Sequence, residues 1–238
     1  GHRRLMALAA LAAFAGASVQ SATGFGFALV LMPALFAVLE PAEAVAVALV
    51  LASALSVFVV VESRRVPTHG LGRLLLPALP GLAVGAVVIA VVAKEPLQVS
   101  VGLAVIAAAL WQLRTTHETR FPAPVAGFLS GALTTSISIN GPPLVLWLES
   151  QDIPPAVFRT TLAAAFLILD VVGVALLTAS EGVDTIDLGV LGPLLACVAA
   201  GYAAGALAFR RLDPDRFFTV VLALVVCTGA ASVLAGIL

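Results

Sequence analysis

The chain has 238 residues, of which 61% are hydrophobic and only 11% charged, and its mean hydropathy is +1.15. Soluble domains carry about 25% charged residues to cover their surface, so this composition excludes a water-facing exterior and makes lipid the solvent for most of it. A net charge of −1, with no acidic or basic tail, offers nothing to nucleic acid.

A helix crossing ~30 Å of hydrocarbon needs ~20 apolar residues at 1.5 Å each. The first apolar stretch, residues 5–39, lacks a clean Ala-x-Ala cleavage site and reads as part of the protein rather than as a signal peptide. It is interrupted by Gln20-Ser21-Ala22-Thr23-Gly24-Phe25-Gly26, and the pieces on either side are short or marginal for a full crossing. The segment is therefore predicted as a helix–break–helix hairpin, either re-entrant or two short tilted crossings. Full spans follow at 42–61, 74–93 and 97–113, separated by charged or proline-containing breaks. A second interrupted stretch, 125–149, carries Thr134-Thr135-Ser136-Ile137-Ser138-Ile139-Asn140-Gly141-Pro142-Pro143 at its centre, and spans at 156–179, 188–209 and 217–238 complete the chain.

The order repeats. A shift of 115 positions sets Gly16 on Gly131, Ser21 on Ser136 and Gly26 on Gly141, and a shift of 116 sets Pro77 on Pro193, Gly85 on Gly201 and Lys94 on Arg210. The predicted fold is all-α and polytopic, with repeats at 1–120 and 121–238, each a broken hairpin plus three transmembrane helices. An odd number of crossings per repeat inverts the second half relative to the first. The charges agree: residues 63–73 carry Arg64, Arg65 and Arg73, whereas their repeat mate 180–187 carries Glu181, Asp184 and Asp187. Excess Lys and Arg marks cytoplasmic loops, which places 63–73, 114–120 and 210–216 inside and 180–187 outside. Arg3 and Arg4 then fall outside, against the rule; a parallel arrangement would instead displace Arg210 and Arg211.

Polar breaks persist in hydrocarbon only when buried or lining a cavity, and paired broken helices of inverted repeats often meet to form a transporter's substrate site. Their N-termini present amide N–H groups and positive dipole ends to an anion. Gly24, Gly26 and Gly141 would permit sharp turns and close ligand approach, while Gln20, Ser21, Thr23, Thr135, Ser136, Ser138 and Asn140 would supply neutral hydrogen-bonding groups. Donors without opposing carboxylates suit an oxyanion; the alternative is that the small polar residues only let helices pack. Inside the span 156–179, Arg159 and Asp170 lie about 16 Å apart along the axis and cannot pair directly. Arg159 either attracts anions or extends toward headgroups. Asp170, where an ionised carboxylate is costly, is either a proton-coupling group or an acid bonded to a neighbouring helix. Gly81-x-x-x-Gly85 and Gly201-x-x-x-Gly205 are helix-packing signals, and Trp111, Trp147 and Tyr202 need no role beyond anchoring or packing. No metal-ligand pattern, cofactor motif or catalytic pairing is present in the sequence, and Cys197 and Cys227 read as small core residues.

Thr23-Gly24-Phe25-Gly26-Phe27 followed by Pro33, and Gly141-Pro142-Pro143-Leu144-Val145-Leu146 followed by Phe158-Arg159-Thr160, resemble the TauE/SafE sulfite-exporter-like permeases, also called the toluenesulfonate uptake permease family. The resemblance covers nearly the whole chain. It implies transport of sulfur-containing or carboxylate anions such as sulfite, thiosulfate or sulfonates, with direction and substrate varying among members. Where members often carry Asn, this chain has Asp170. The expectation is a secondary transporter of a small sulfur oxyanion in the bacterial inner membrane, with lipid, the anion and protons as its partners. An anion channel, or a structural or sensory membrane protein, is the alternative.

Overall fold

In a computed structural model the described residues are 2–63, 70–114, 122–151, 153–181 and 188–209. The predicted span 217–238, the loop 210–216, Cys227 and most of the loops 63–73, 114–120 and 180–187 lie outside them, as does the boundary between the two repeats. The described residues are helical throughout, with no strand: α1 (His2–Thr23), α2 (Phe27–Phe36), α3 (Pro41–Ser63), α4 (Leu71–Val91), α5 (Lys94–Arg114), α6 (Ala123–Ile137), α7 (Gly141–Glu149), α8 (Pro155–Glu181) and α9 (Leu188–Phe209).

Among the described residues, five helices are long and apolar enough to cross a membrane, within α1, α3, α4, α8 and α9. The predicted span 97–113 is helical, as α5. At about 1.5 Å per residue, α2 with 10 residues and α7 with 9 reach only about half the hydrocarbon thickness.

Both interruptions are U-turns. Ser130 donates to the Asn140 carbonyl at 3.0 Å, although seven residues of α6 still follow Ser130. At the first break a β-carbon on Gly16 would stand 2.7 Å from the Phe27 carbonyl oxygen. In each case the chain passes beyond the level of the following helix and turns back about 10 Å along its own axis. The helices run further into the polar patches than the composition suggests, because the hydroxyls bond to their own backbone: Thr134 to Ser130 O at 2.7 Å and Ser136 to Ala132 O at 2.6 Å.

Packing joins the halves crosswise: α1 lies along α9, α6 along α4, and α3 against α8 between them. Glycines set the two outer seams. A β-carbon on Gly81 or Gly85 would collide with the carbonyls of Phe128 and Ala132, and one on Gly201 or Gly205 with those of Phe14 and Ser18. Close backbone approach replaces the hydrophobic drive that lipid removes. Because the repeat relates α1 to α6 and α9 to α4, the two seams are the pair that a duplicated chain produces. The architecture is thus all-helical and compatible with inverted repeats.

Candidate substrate site between two helix breaks

At the first break Gly24 and Gly26 have φ of 91° and 103°, left-handed values that side chains resist. Gly24 N–H returns to Gln20 O at 2.8 Å, and Thr23 Oγ1 lies 2.9 Å from Val19 O and 2.8 Å from Phe25 O. Beyond it α2 begins without a side-chain cap, so the amides of Phe27, Ala28 and Leu29 have no intrahelical acceptor.

The second break turns on Ser138, the one non-glycine residue with positive φ among those described, at 58°. That conformation costs an L-residue roughly 1–2 kcal/mol. Amides of Ser138 and Ile139 close back onto Thr134 O and Leu133 O at 3.0 and 3.2 Å. The helix that follows opens Gly141-Pro142-Pro143. Two of its first-turn residues therefore lack an N–H, and α7 offers an anion far fewer amides than α2. The symmetric pair of helix N-termini expected from sequence is one-sided in its donors.

The breaks meet. A β-carbon on Gly141 would touch Phe166 at 3.7 Å and Phe25 at 3.8 Å, and a cavity of about 20 Å³ lies between the two turns. Its polar lining is Gln20, Ser138, Asn140 and Asp170; Phe25, Ile139, Pro142 and Phe166 form apolar wall, and residues from Gly26 to Leu29 close the α2 side. Asp170, from α8, is 1% exposed and accepts from Asn140 Nδ2 at 2.9 Å. Ser138 Oγ is buried without a hydrogen-bond partner. Gln20, 4% exposed, engages no side-chain partner among the described residues. Buried polar groups are normally satisfied, so unmet capacity gathered around one small void marks a place for a ligand or water.

Of the residues singled out in sequence, Gln20, Gly26, Ser138, Asn140, Gly141 and Asp170 share this lining. The others stand apart from it. Ser21 donates to Tyr202 O at 2.9 Å and Thr135 to Leu82 O at 2.7 Å, each bonding across an outer seam. Thr23 and Ser136 bond locally. Gly24 packs against the stem of Arg159, its β-carbon position 3.4 Å from Cγ. Arg159 reaches Glu62 at 3.6 Å and the Tyr202 hydroxyl at 3.4 Å. The sequence reading passed over Glu62 and gave Tyr202 only an anchoring role; no spacing rule joins residues 140 positions apart. No cluster of three His, Cys, Asp or Glu occurs among the described residues.

Apolar helices of crossing length mark a multi-pass membrane protein. The family model for the sulfite exporter TauE/SafE matches residues 8–232. The chain belongs to that family, one of membrane transporters of sulfur anions such as sulfite rather than of enzymes. Comparison with curated proteins gives no match, and comparison with solved structures gives none either.

Proposed function

We propose that this protein is a secondary transporter that moves a small sulfur oxyanion across the bacterial inner membrane by alternating access, with the ligand held between the two helix breaks. The observation that carries the reading is the convergence of both breaks on one cavity that holds an unpaired buried hydroxyl, Ser138, beside a buried carboxylate. A cavity of about 20 Å³ holds a water-sized species, so it must widen to load sulfite, thiosulfate or a sulfonate.

The amides of α2, Ser138 and Gln20 hold the anion. Asp170 cannot remain ionised beside it in a low-dielectric site, so the proton it takes up travels with the anion and couples transport to the pH gradient. The two repeats are inverted, with residues 63–73 and 114–120 in the cytoplasm and 180–187 outside. Cysteines at Thr68 and Thr119 are therefore labelled from the cytoplasm and one at Val183 from outside. Labelling of Val183 from the cytoplasm restores the parallel arrangement.

The deciding experiment is radiolabelled sulfite flux in proteoliposomes. Saturable uptake accelerated by unlabelled sulfite on the opposite side is expected. Flux that rises linearly with concentration and ignores the opposite side would make the protein a channel.

A further inference from the structure

Arg159, Glu62 and Tyr202 come from α8, α3 and α9 and stand outside the cavity lining. Tyr202 donates its hydroxyl hydrogen to Glu62 Oε2. Arg159 Nη2 lies 3.4 Å from that hydroxyl and 3.6 Å from the same carboxylate oxygen. Both distances exceed the roughly 2.7–2.9 Å of a good charge-assisted hydrogen bond. Arg159 Nε is buried and bonds to nothing. A guanidinium carries five N–H donors in a planar fork, and here one nitrogen is loosely engaged while the buried one is idle.

Position gives this a direction. The Glu62 side chain is 59% exposed and that of Arg159 34%, so the carboxylate is the more exposed partner and the cation the more buried one. On its inner side the stem of Arg159 rests on Gly24, two residues before the Gly26 that opens α2 and lines the cavity. The guanidinium therefore stands between an exposed carboxylate and the break that lines the void. As a structural staple the pair is poor, because exposed ion pairs hold helices together only weakly.

The geometry points to an outer oxyanion subsite at Arg159, occupied in this conformation by the protein's own Glu62 carboxylate. An incoming oxyanion displaces Glu62, presents a two-oxygen edge to Nε and an Nη, accepts from the Tyr202 hydroxyl and lies one short step from the α2 amides. Only one of the repeats carries this arrangement: the 116-position shift sets Tyr202 on Ala86. The inference rests on the central cavity being the substrate site. A lipid phosphate offers the same chemistry, and the protein commits here to the soluble anion.

Equilibrium binding of radiolabelled sulfite to the full chain in phosphatidylcholine nanodiscs tests this. Glu62→Gln is expected to bind several-fold more tightly than the unmodified protein, because the competing carboxylate is gone. Arg159→Gln should bind several-fold more weakly, and the double variant no more tightly than Arg159→Gln. Glu62 is exposed enough that folding should survive; Glu62→Ala provides a second variant read in the same way. Glu62→Gln and Glu62→Ala binding no more tightly than the unmodified protein overturns the subsite. Binding abolished by Gly141→Leu yet indifferent to Glu62 and Arg159 removes this inference and leaves the central site standing. Absence of sulfite binding in every form removes both. A gain in Glu62→Gln that disappears when phosphatidylglycerol enters the nanodisc assigns the fork to lipid headgroups and overturns the soluble-anion subsite.

Discussion

At the first break two glycines take left-handed conformations and the first turn of α2 keeps three amides; at the second, Ser138 makes the turn and Pro142 and Pro143 remove two of the amides. The 115-position shift that relates the halves sets Asn140 on Phe25 and Asp170 on Leu55. One half thus contributes Gln20 and a helix start that keeps its first-turn amides, and the other an Asn–Asp pair beside a donor-poor helix end. The outer seams show no such divergence, since α1 against α9 and α4 against α6 both rest on glycines pressed to a facing carbonyl. The two seams match in their packing, while the two breaks differ in the groups they bring to the cavity.

The sharpest way to break the comparison is at the seams. Gly81→Leu and Gly201→Leu should each abolish recovery of monodisperse protein, because the obstacle is a backbone carbonyl that cannot rotate away. The cost exceeds the ~1–3 kcal/mol of ordinary overpacking. Gly72→Leu meets nothing within 4 Å and should behave as the unmodified protein. Size-exclusion profiles decide it, and tolerance at Gly81 but not Gly201 would show that the seams are not equivalent.

Next in size is Gly141→Leu. Gly141 is helical and its β-carbon position has ordinary neighbours at 3.7 Å and beyond, so insertion and folding should survive while the side chain fills the cavity and sulfite binding disappears. Gly26→Leu is expected to lose folding as well, since φ of 103° strains any side chain. Retained binding in a well-folded Gly141→Leu protein would place the ligand elsewhere.

Ser138→Ala and Asn140→Ala should each weaken sulfite binding by about 1 kcal/mol, the scale of one lost hydrogen bond. Their stabilities should separate them. The Ser138 hydroxyl has no partner within the protein, whereas Asn140 holds the buried Asp170. Thermal midpoints should therefore be unchanged for Ser138→Ala and lowered for Asn140→Ala. A lowered midpoint for Ser138→Ala would mean that its hydroxyl serves the fold.

Sequence pattern located both breaks to within a few residues, because glycine and clustered hydroxyls in an apolar run leave few other conformations. Gly81, Gly85, Gly201 and Gly205 were likewise legible as packing positions. Which polar residue faces the cavity was not. Ser21 and Thr135 turn to the backbone of a neighbouring helix, and Ser136 to its own, choices fixed by rotation about helices only a few residues from the turn. The partners of the two buried-span charges were equally hidden: Asp170 meets Asn140 and Arg159 meets Glu62 through tertiary packing alone.

Asp170→Asn is expected to change binding affinity least and to bear most directly on what the unlike halves accomplish. The Asn140 amide that now donates to Oδ1 can donate equally to the carbonyl oxygen of the substituted side chain, so the fold and the cavity are retained. What disappears is the capacity to take up and release a proton. On the proposed coupling, an anion and an ionised carboxylate do not share the cavity, so loading the anion draws in a proton and release of one favours release of the other. An imposed pH gradient should therefore drive sulfite accumulation in proteoliposomes. The Asp170→Asn protein should still bind sulfite and exchange it at equal pH, but accumulate none above the outside concentration when the gradient is imposed. Gradient-driven accumulation that survives in the variant, or uptake by the unmodified protein that ignores the gradient, would reduce Asp170 to a structural acid that orients Asn140. The asymmetry of the two breaks would then concern only how the anion is oriented, and the driving force would have to enter through another group.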